Sequence, residues 1–141
     1  MNTLIFAGLA AVSFGVWTVF HKLAAPHINQ IFGAIVVSLT AVVFGTIVLL
    51  PQIKETQLFV NYKGILFLVL AGIAAFFIDF LALQSYSRGL PITIGGPIII
   101  GGSIAIAAVI GFFLGESISF LKIFALILII AGSGILASLT Q

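Results

Sequence analysis

Asp79 is the residue of this chain best placed to do chemistry. It is the one acidic side chain set well inside a long apolar run, Phe76-Phe77-Ile78-Asp79-Phe80-Leu81. An aspartate at the centre of a membrane helix costs roughly 2.5–3.5 kcal/mol on insertion scales, so it has to face protein or water. Two readings follow. As a functional group it is a proton-coupling carboxylate, or the counter-charge for a cationic substrate. As a structural group it is a buried acid held protonated, or one paired with Arg88 or Lys22.

Five further groups are candidates to line a cavity: Trp17, Tyr86, Gln84, Ser103 and Thr93. Trp17 and Tyr86 fit an aromatic belt at the membrane interface equally well. Pro97 stands inside a glycine-rich apolar run, where its ring removes a backbone donor and frees the carbonyl near Thr93. Such a break is tolerated where the freed groups meet protein, water or a ligand, and breaks of this kind mark transport sites. A passive kink is the other reading. The substrate pathway expected from these residue types holds Asp79, Trp17, Tyr86, Pro97 and Thr93.

Much chemistry is excluded. Cysteine is absent, which removes disulfides, thiolate catalysis and cysteine metal sites. His21 and His27 are read into a short loop with nothing beside them to complete a metal site. There is no GxSxG, HExxH or phosphate-binding loop, and no pair of intramembrane carboxylates. The expectation is a protein with no catalytic residue, metal or cofactor, and not an enzyme. The net charge of +2 comes from scattered single lysines and arginines, so nucleic acid is not an expected partner.

The elements that must position these residues are five long apolar stretches. Hydrophobic residues are 62% of the 141, and charged residues only 6%, too few to coat a soluble core of this size. Apolar runs of about 18 residues or more cross a hydrocarbon core of about 30 Å as helices. The fold class is therefore all-α: a polytopic membrane protein of five transmembrane helices in one domain, residues 1–141, with the lipid bilayer as its first partner.

The first stretch runs from about Thr3 to Phe20 and reads as a retained helix, since it lacks a basic leader. The second spans about Gln30 to Leu50 and stops at Pro51. A polar loop from Gln52 to Lys63 follows, and the third stretch runs from about Gly64 to Gln84, leaving through Ser85 to Gly89. Pro91 opens the fourth, which ends near Leu114, and the fifth runs from about Phe120 to Leu139. Small residues permit close backbone approach in lipid. They line up as Ala7, Ala11 and Gly15, as Ala34, Ser38, Ala41 and Gly45, and as Gly72, Ala75, Asp79, Ala82 and Tyr86. The fourth stretch carries Gly95, Gly96, Gly101 and Gly102, then Gly111 and Gly115 as a GxxxG pair read as bundle packing.

An odd number of spans puts the termini on opposite sides of the membrane. Lys54, Lys63 and Lys122 then share one side, and Lys22 and Arg88 the other. Three against two is a weak bias under the positive-inside rule, so orientation is not strongly fixed.

Several short motifs together resemble a known family. Phe14-Gly15-Val16-Trp17, with Lys22 seven residues after the glycine, resembles the Trp-Gly…Lys motif of drug/metabolite transporter superfamily proteins with EamA-type domains. Ala82-Leu83-Gln84-Ser85-Tyr86-Ser87, with Pro97 on the next helix, is similar to the third and fourth helices of that family. Gly115-Glu116-Ser117-Ile118-Ser119, then Ala131-Gly132-Ser133-Gly134, is similar to its ending. The resemblance covers essentially the whole chain as one five-helix repeat, of which the usual ten-helix transporter holds two, inverted. The chain departs from the pattern with Phe14 where tryptophan is typical, and it lacks the first-helix glutamate of the small multidrug-resistance relatives.

The resemblance implies the five-helix bacterial and archaeal branch and a multi-pass plasma-membrane protein. The expected function is a secondary transporter or exporter of small metabolites or drug-like compounds. It would work as an antiparallel, dual-topology homodimer by alternating access around a small-molecule substrate. The alternative is an accessory subunit, or half-transporter, that pairs with another membrane protein.

Overall fold

The computed structural model describes residues 3–54, 58, 61–117 and 119–139, so Glu55 of the long loop and Ile118 of the Gly115–Ser119 motif lie outside the described residues. It is built of helices: α1 (Thr3–Ala24), α2 (Gln30–Leu49), α3 (Tyr62–Ser87), α4 (Ile92–Phe113) and α5 (Phe120–Ser138). All five are long and apolar enough to cross a membrane. Their ends follow local chemistry. The Asn29 carboxamide accepts the Ile31 and Phe32 N–H groups at 3.1 and 3.2 Å and starts α2. At the other end Pro51 turns the chain into a single 3₁₀ turn, Leu50–Gln52. Pro91 is the N-cap of α4, and the Ser119 hydroxyl caps α5 by accepting the Lys122 N–H.

Two helices run further than their apolar stretches. α1 continues through His21 and Lys22 to Ala24, and α3 continues through Ser85 and Tyr86 to Ser87. His21 is thus a helical residue and not a loop residue, and Tyr86 belongs to α3 and not to its exit. Hydropathy marks where the apolar run stops, whereas the helix ends only where its hydrogen bonds do. The Ser85 hydroxyl donates to the Leu81 carbonyl at 2.8 Å and the Ser87 hydroxyl to that of Gln84 at 3.0 Å, so these polar side chains are satisfied by the helix's own carbonyls.

The chain divides into two compact units, Met1–Phe20 with Arg88–Gln141, and His21–Ser87. In the first unit α4 packs on α5; in the second α2 packs on α3. The α2–α3 contact is close because Gly33 has no side chain: a Cβ there would lie 2.7 Å from Leu83 Cδ1 and 3.2 Å from Ile28 Cγ2. Ala34, beside it, is completely buried. Of the small residues expected on α2, only Ala34 is covered; Ser38, Ala41 and Gly45 remain on the outer surface. On α3 the buried face is Asp79, Ala82, Leu83 and Tyr86, and the Gly72–Ala75 end of the expected stripe stays exposed.

The Gly111–Gly115 pair closes a helix end. Gly115 has φ +92° and closes α4: its N–H donates to the Phe112 carbonyl at 3.1 Å, and the Glu116 N–H donates to that of Gly111 at 3.0 Å. Those paired bonds are the left-handed glycine cap that satisfies a helix's last carbonyls. Gly111 also leaves room for the Glu116 carboxylate, whose Cδ would lie 3.1 Å from an added Cβ.

Candidate functional site

In the first unit a groove of about 370 Å³ opens among α1, α4 and α5. Gly15 and Thr18 line it from α1, Gly96, Pro97, Ile100 and Gly101 from α4, and Ile129 and Ser133 from α5. Its lining carries no charged side chain. The two hydroxyls there are already donating, Thr18 to the Phe14 carbonyl at 2.9 Å and Ser133 to the Pro97 carbonyl at 3.1 Å. Each therefore offers lone pairs to a ligand's donor while its own proton is spent. Chemically, the groove fits an uncharged, largely apolar body with a hydrogen-bond donor.

Pro97 sits in this groove without interrupting its helix: α4 is continuous from Ile92 to Phe113. The ring deprives the Thr93 carbonyl of its usual donor four residues on. Gly101 is what lets α5 come close at this level, since a Cβ on it would overlap the Ser133 hydroxyl. Backbone proximity and one interhelical hydrogen bond thus join α4 to α5, as small residues and hydroxyls do in lipid.

The second unit holds a different cluster. His21 Nε2 lies 3.1 Å from Asp79 Oδ1, with both residues almost completely buried, at 4% and 6% exposure. His21 is thus a neighbour of Asp79 that the choice of Arg88 and Lys22 by residue type did not include. Lys22 Nζ sits 3.5 Å from the Tyr86 carbonyl and 5.8 Å from the centre of its ring. That carbonyl is among the last of α3, where a cation complements both the unsatisfied oxygens and the helix dipole. The Tyr86 hydroxyl is buried and has no hydrogen-bond partner among the described residues, a situation worth about 1–3 kcal/mol when left uncompensated.

The expected pathway residues thus fall into two groups. Asp79 and Tyr86 share the buried face of α3, seven residues apart. Pro97 lines the groove of the first unit. Trp17 is half-buried against Phe14, ring centres 4.9 Å apart, and is not among the groove's lining residues; Thr93 is exposed. Sequence reasoning missed His21, Thr18, Gly101 and Ser133. A signal for the first was available: Thr18 and His21 stand three residues apart and so fall on one helical face. Ser133 was legible only as part of a Gly-Ser-Gly string.

Five apolar spans carrying a buried histidine–aspartate contact and an uncharged groove define a multi-pass integral membrane protein. The model of the EamA-like transporter family matches residues 1–138, and the chain belongs to that family. Its class is accordingly that of the drug/metabolite membrane transporters, a transport family and not an enzymatic one. No curated protein and no solved structure matches the chain.

Proposed function

We propose that the protein is a secondary transporter or exporter of small metabolites or drug-like compounds, acting as an antiparallel homodimer by alternating access. The observation that carries the reading is the groove beside Pro97: a ligand-sized, uncharged recess with two accepting hydroxyls, in a chain of a transporter family. Volumes of roughly 300–1,000 Å³ hold small molecules, and a site built from small residues at helix contacts is one that sliding helices reshape. The near-even distribution of lysine and arginine between the two membrane faces supports antiparallel pairing. Two such chains related by an in-plane two-fold would reproduce the inverted-repeat plan of secondary transporters.

The test is flux in proteoliposomes holding the full chain, with three probes of different charge: ethidium, leucine and uridine. Saturable counterflow of at least one is expected. Gly15→Leu supplies the control, because Gly15 lines the groove and an added Cβ there meets nothing within 4 Å. Its flux should fall at least tenfold while the chain still folds. Flux unchanged in Gly15→Leu would remove the groove from the pathway, and no protein-dependent flux of any probe would count against transport.

A further inference from the structure

We infer that the groove of the first unit is an oriented site for a neutral, lipophilic phenol or alcohol, with its O–H between Thr18 and Ser133 and its apolar body laid toward Ile104. Binding rests on the geometry of the groove; that this is the class of molecule carried rests on the transporter reading above.

The donor end is set by two hydroxyls that meet α4 at consecutive residues. A Cβ added at Gly96 would lie 3.6 Å from the Thr18 methyl, and the Ser133 hydroxyl reaches the carbonyl of the next residue, Pro97. Each hydroxyl gives its proton to a carbonyl, and neither accepts a hydrogen bond from a described residue. A hydroxyl that is already donating is polarised into a better acceptor. The side chains at this level therefore offer lone pairs and no proton. They meet a ligand's O–H well and leave an ether oxygen facing only other lone pairs.

The apolar arm runs the other way along α4. Consecutive spans are antiparallel, so α5 goes back from Ser133 to Ile129 as α4 goes on from Pro97 to Gly101. A Cβ added at Gly101 would accordingly lie 3.5 Å from Ile129 Cγ2. Ile100, Ile104 and Ile129 wall this arm of the groove, and none of them carries a polar side-chain atom. From Pro97 to Ile104 the helix advances about 10 Å at about 1.5 Å per residue, the length of a ring with a short substituent.

Depth decides the charge. Gly15, Gly101 and Ile129 each stand near the middle of their own helix, so the groove lies at mid-span. An ammonium or carboxylate brought to that depth needs a counter-charge, and the lining holds none. A neutral phenol needs only its one acceptor, and the hydrocarbon around the helices already concentrates it. Pockets that orient a ligand by a few placed polar groups in an apolar wall discriminate through those groups.

The experiment is photolabelling of the unmodified full chain in lipid nanodiscs, with a phenol carrying a trifluoromethyl-diazirine group para to its hydroxyl. Its methyl ether and the corresponding benzylammonium are the matched probes, and adducts are placed by mass spectrometry. Saturable phenol adducts on Ile100, Ile104 or Ile129 are expected, with the ether and the ammonium at least tenfold weaker. Thr18→Val combined with Ser133→Ala should bring the phenol down to the level of its ether, and Gly15→Leu should remove the saturable labelling. A phenol that labels no better than its ether on the unmodified chain overturns the donor end, and an ammonium that labels as well as the phenol overturns the neutral class. Adducts on Ile92 in place of Ile104 overturn the orientation. Labelling that never saturates and falls on outward residues such as Phe67 overturns the site. None of these outcomes reads flux. A chain that binds the phenol and moves no probe therefore fails the transport reading alone, and one that moves a probe without saturable phenol adducts fails this inference alone.

Discussion

At the scale of single residues, the contact between Gly101 and Ser133 is the sharpest feature of the first unit. It makes a quantitative prediction. Gly101→Ala pushes a methyl into the Ser133 hydroxyl and should cost about 1–3 kcal/mol, the usual range for overpacking. Ser133→Ala should cost less, about 0.6 kcal/mol, the mean for an interhelical hydrogen bond in a membrane protein. The two should not add. With the hydroxyl gone, the added methyl's tight contact is the Cβ of residue 133 at 3.2 Å, a squeeze of a few tenths of an ångström, while Ile129 Cγ2 at 3.5 Å is an ordinary van der Waals neighbour. A double-mutant cycle by reversible unfolding in mixed micelles should therefore show the second substitution recovering part of the first, by about 0.5 kcal/mol or more. Strict additivity would mean that α4 and α5 do not meet there. The residue scale is also where the sequence was least legible. Asp79 stood out because an acid in an apolar run has no cheap place to go. His21 did not, because its partner lies 58 positions along the chain. Composition carries no distance.

At the scale of elements, α4 shows one pattern with two possible causes. A glycine pair four apart fits both a helix contact and a helix end, and Gly111–Gly115 is the second. Gly115 holds a left-handed φ of +92°, which costs other residues about 1–2 kcal/mol. Gly115→Ala should lower stability by that amount, whereas Gly102→Ala, where an added Cβ meets nothing within 4 Å, should be neutral or slightly stabilising. Comparing the two by thermal unfolding separates a backbone requirement from a packing one; equal losses would argue for packing. The helices themselves were readable almost to the residue, because span length and the Pro51 and Pro91 punctuation act locally. The ends of α1 and α3 were not. Their last turns are polar: on α3 the Ser85 and Ser87 hydroxyls turn back onto helix carbonyls, and from α1 Lys22 reaches the Tyr86 carbonyl, features that hydropathy does not sense.

At the scale of the whole molecule, the argument turns on what the outer faces are for. Leu4, Phe67 and Phe113 are 75%, 68% and 88% exposed, and α5 has no buried residue at all, as expected of helices whose solvent is lipid. Such faces do not choose an orientation; the loop charges do. Lys54, Lys63 and Lys122 stand against Lys22 and Arg88, a margin of one charge. The cysteine-free sequence makes the outcome measurable. Asn61 is a poor reporter position, because its side chain accepts the Lys63 N–H at 2.9 Å and its carbonyl the Gly64 N–H at 3.0 Å, starting α3. Leu58, exposed in the same loop, is better. In Leu58→Cys, a membrane-impermeant thiol reagent applied to intact cells should reach about half of the sites, and the rest only after permeabilisation. Adding Gln52→Lys raises the margin on that side from one charge to two and should draw most of those loops to the cytoplasmic face. Labelling wholly from one side in the starting protein would sink the antiparallel homodimer. It would leave the chain needing an oppositely inserted partner, which is what an accessory half-transporter requires.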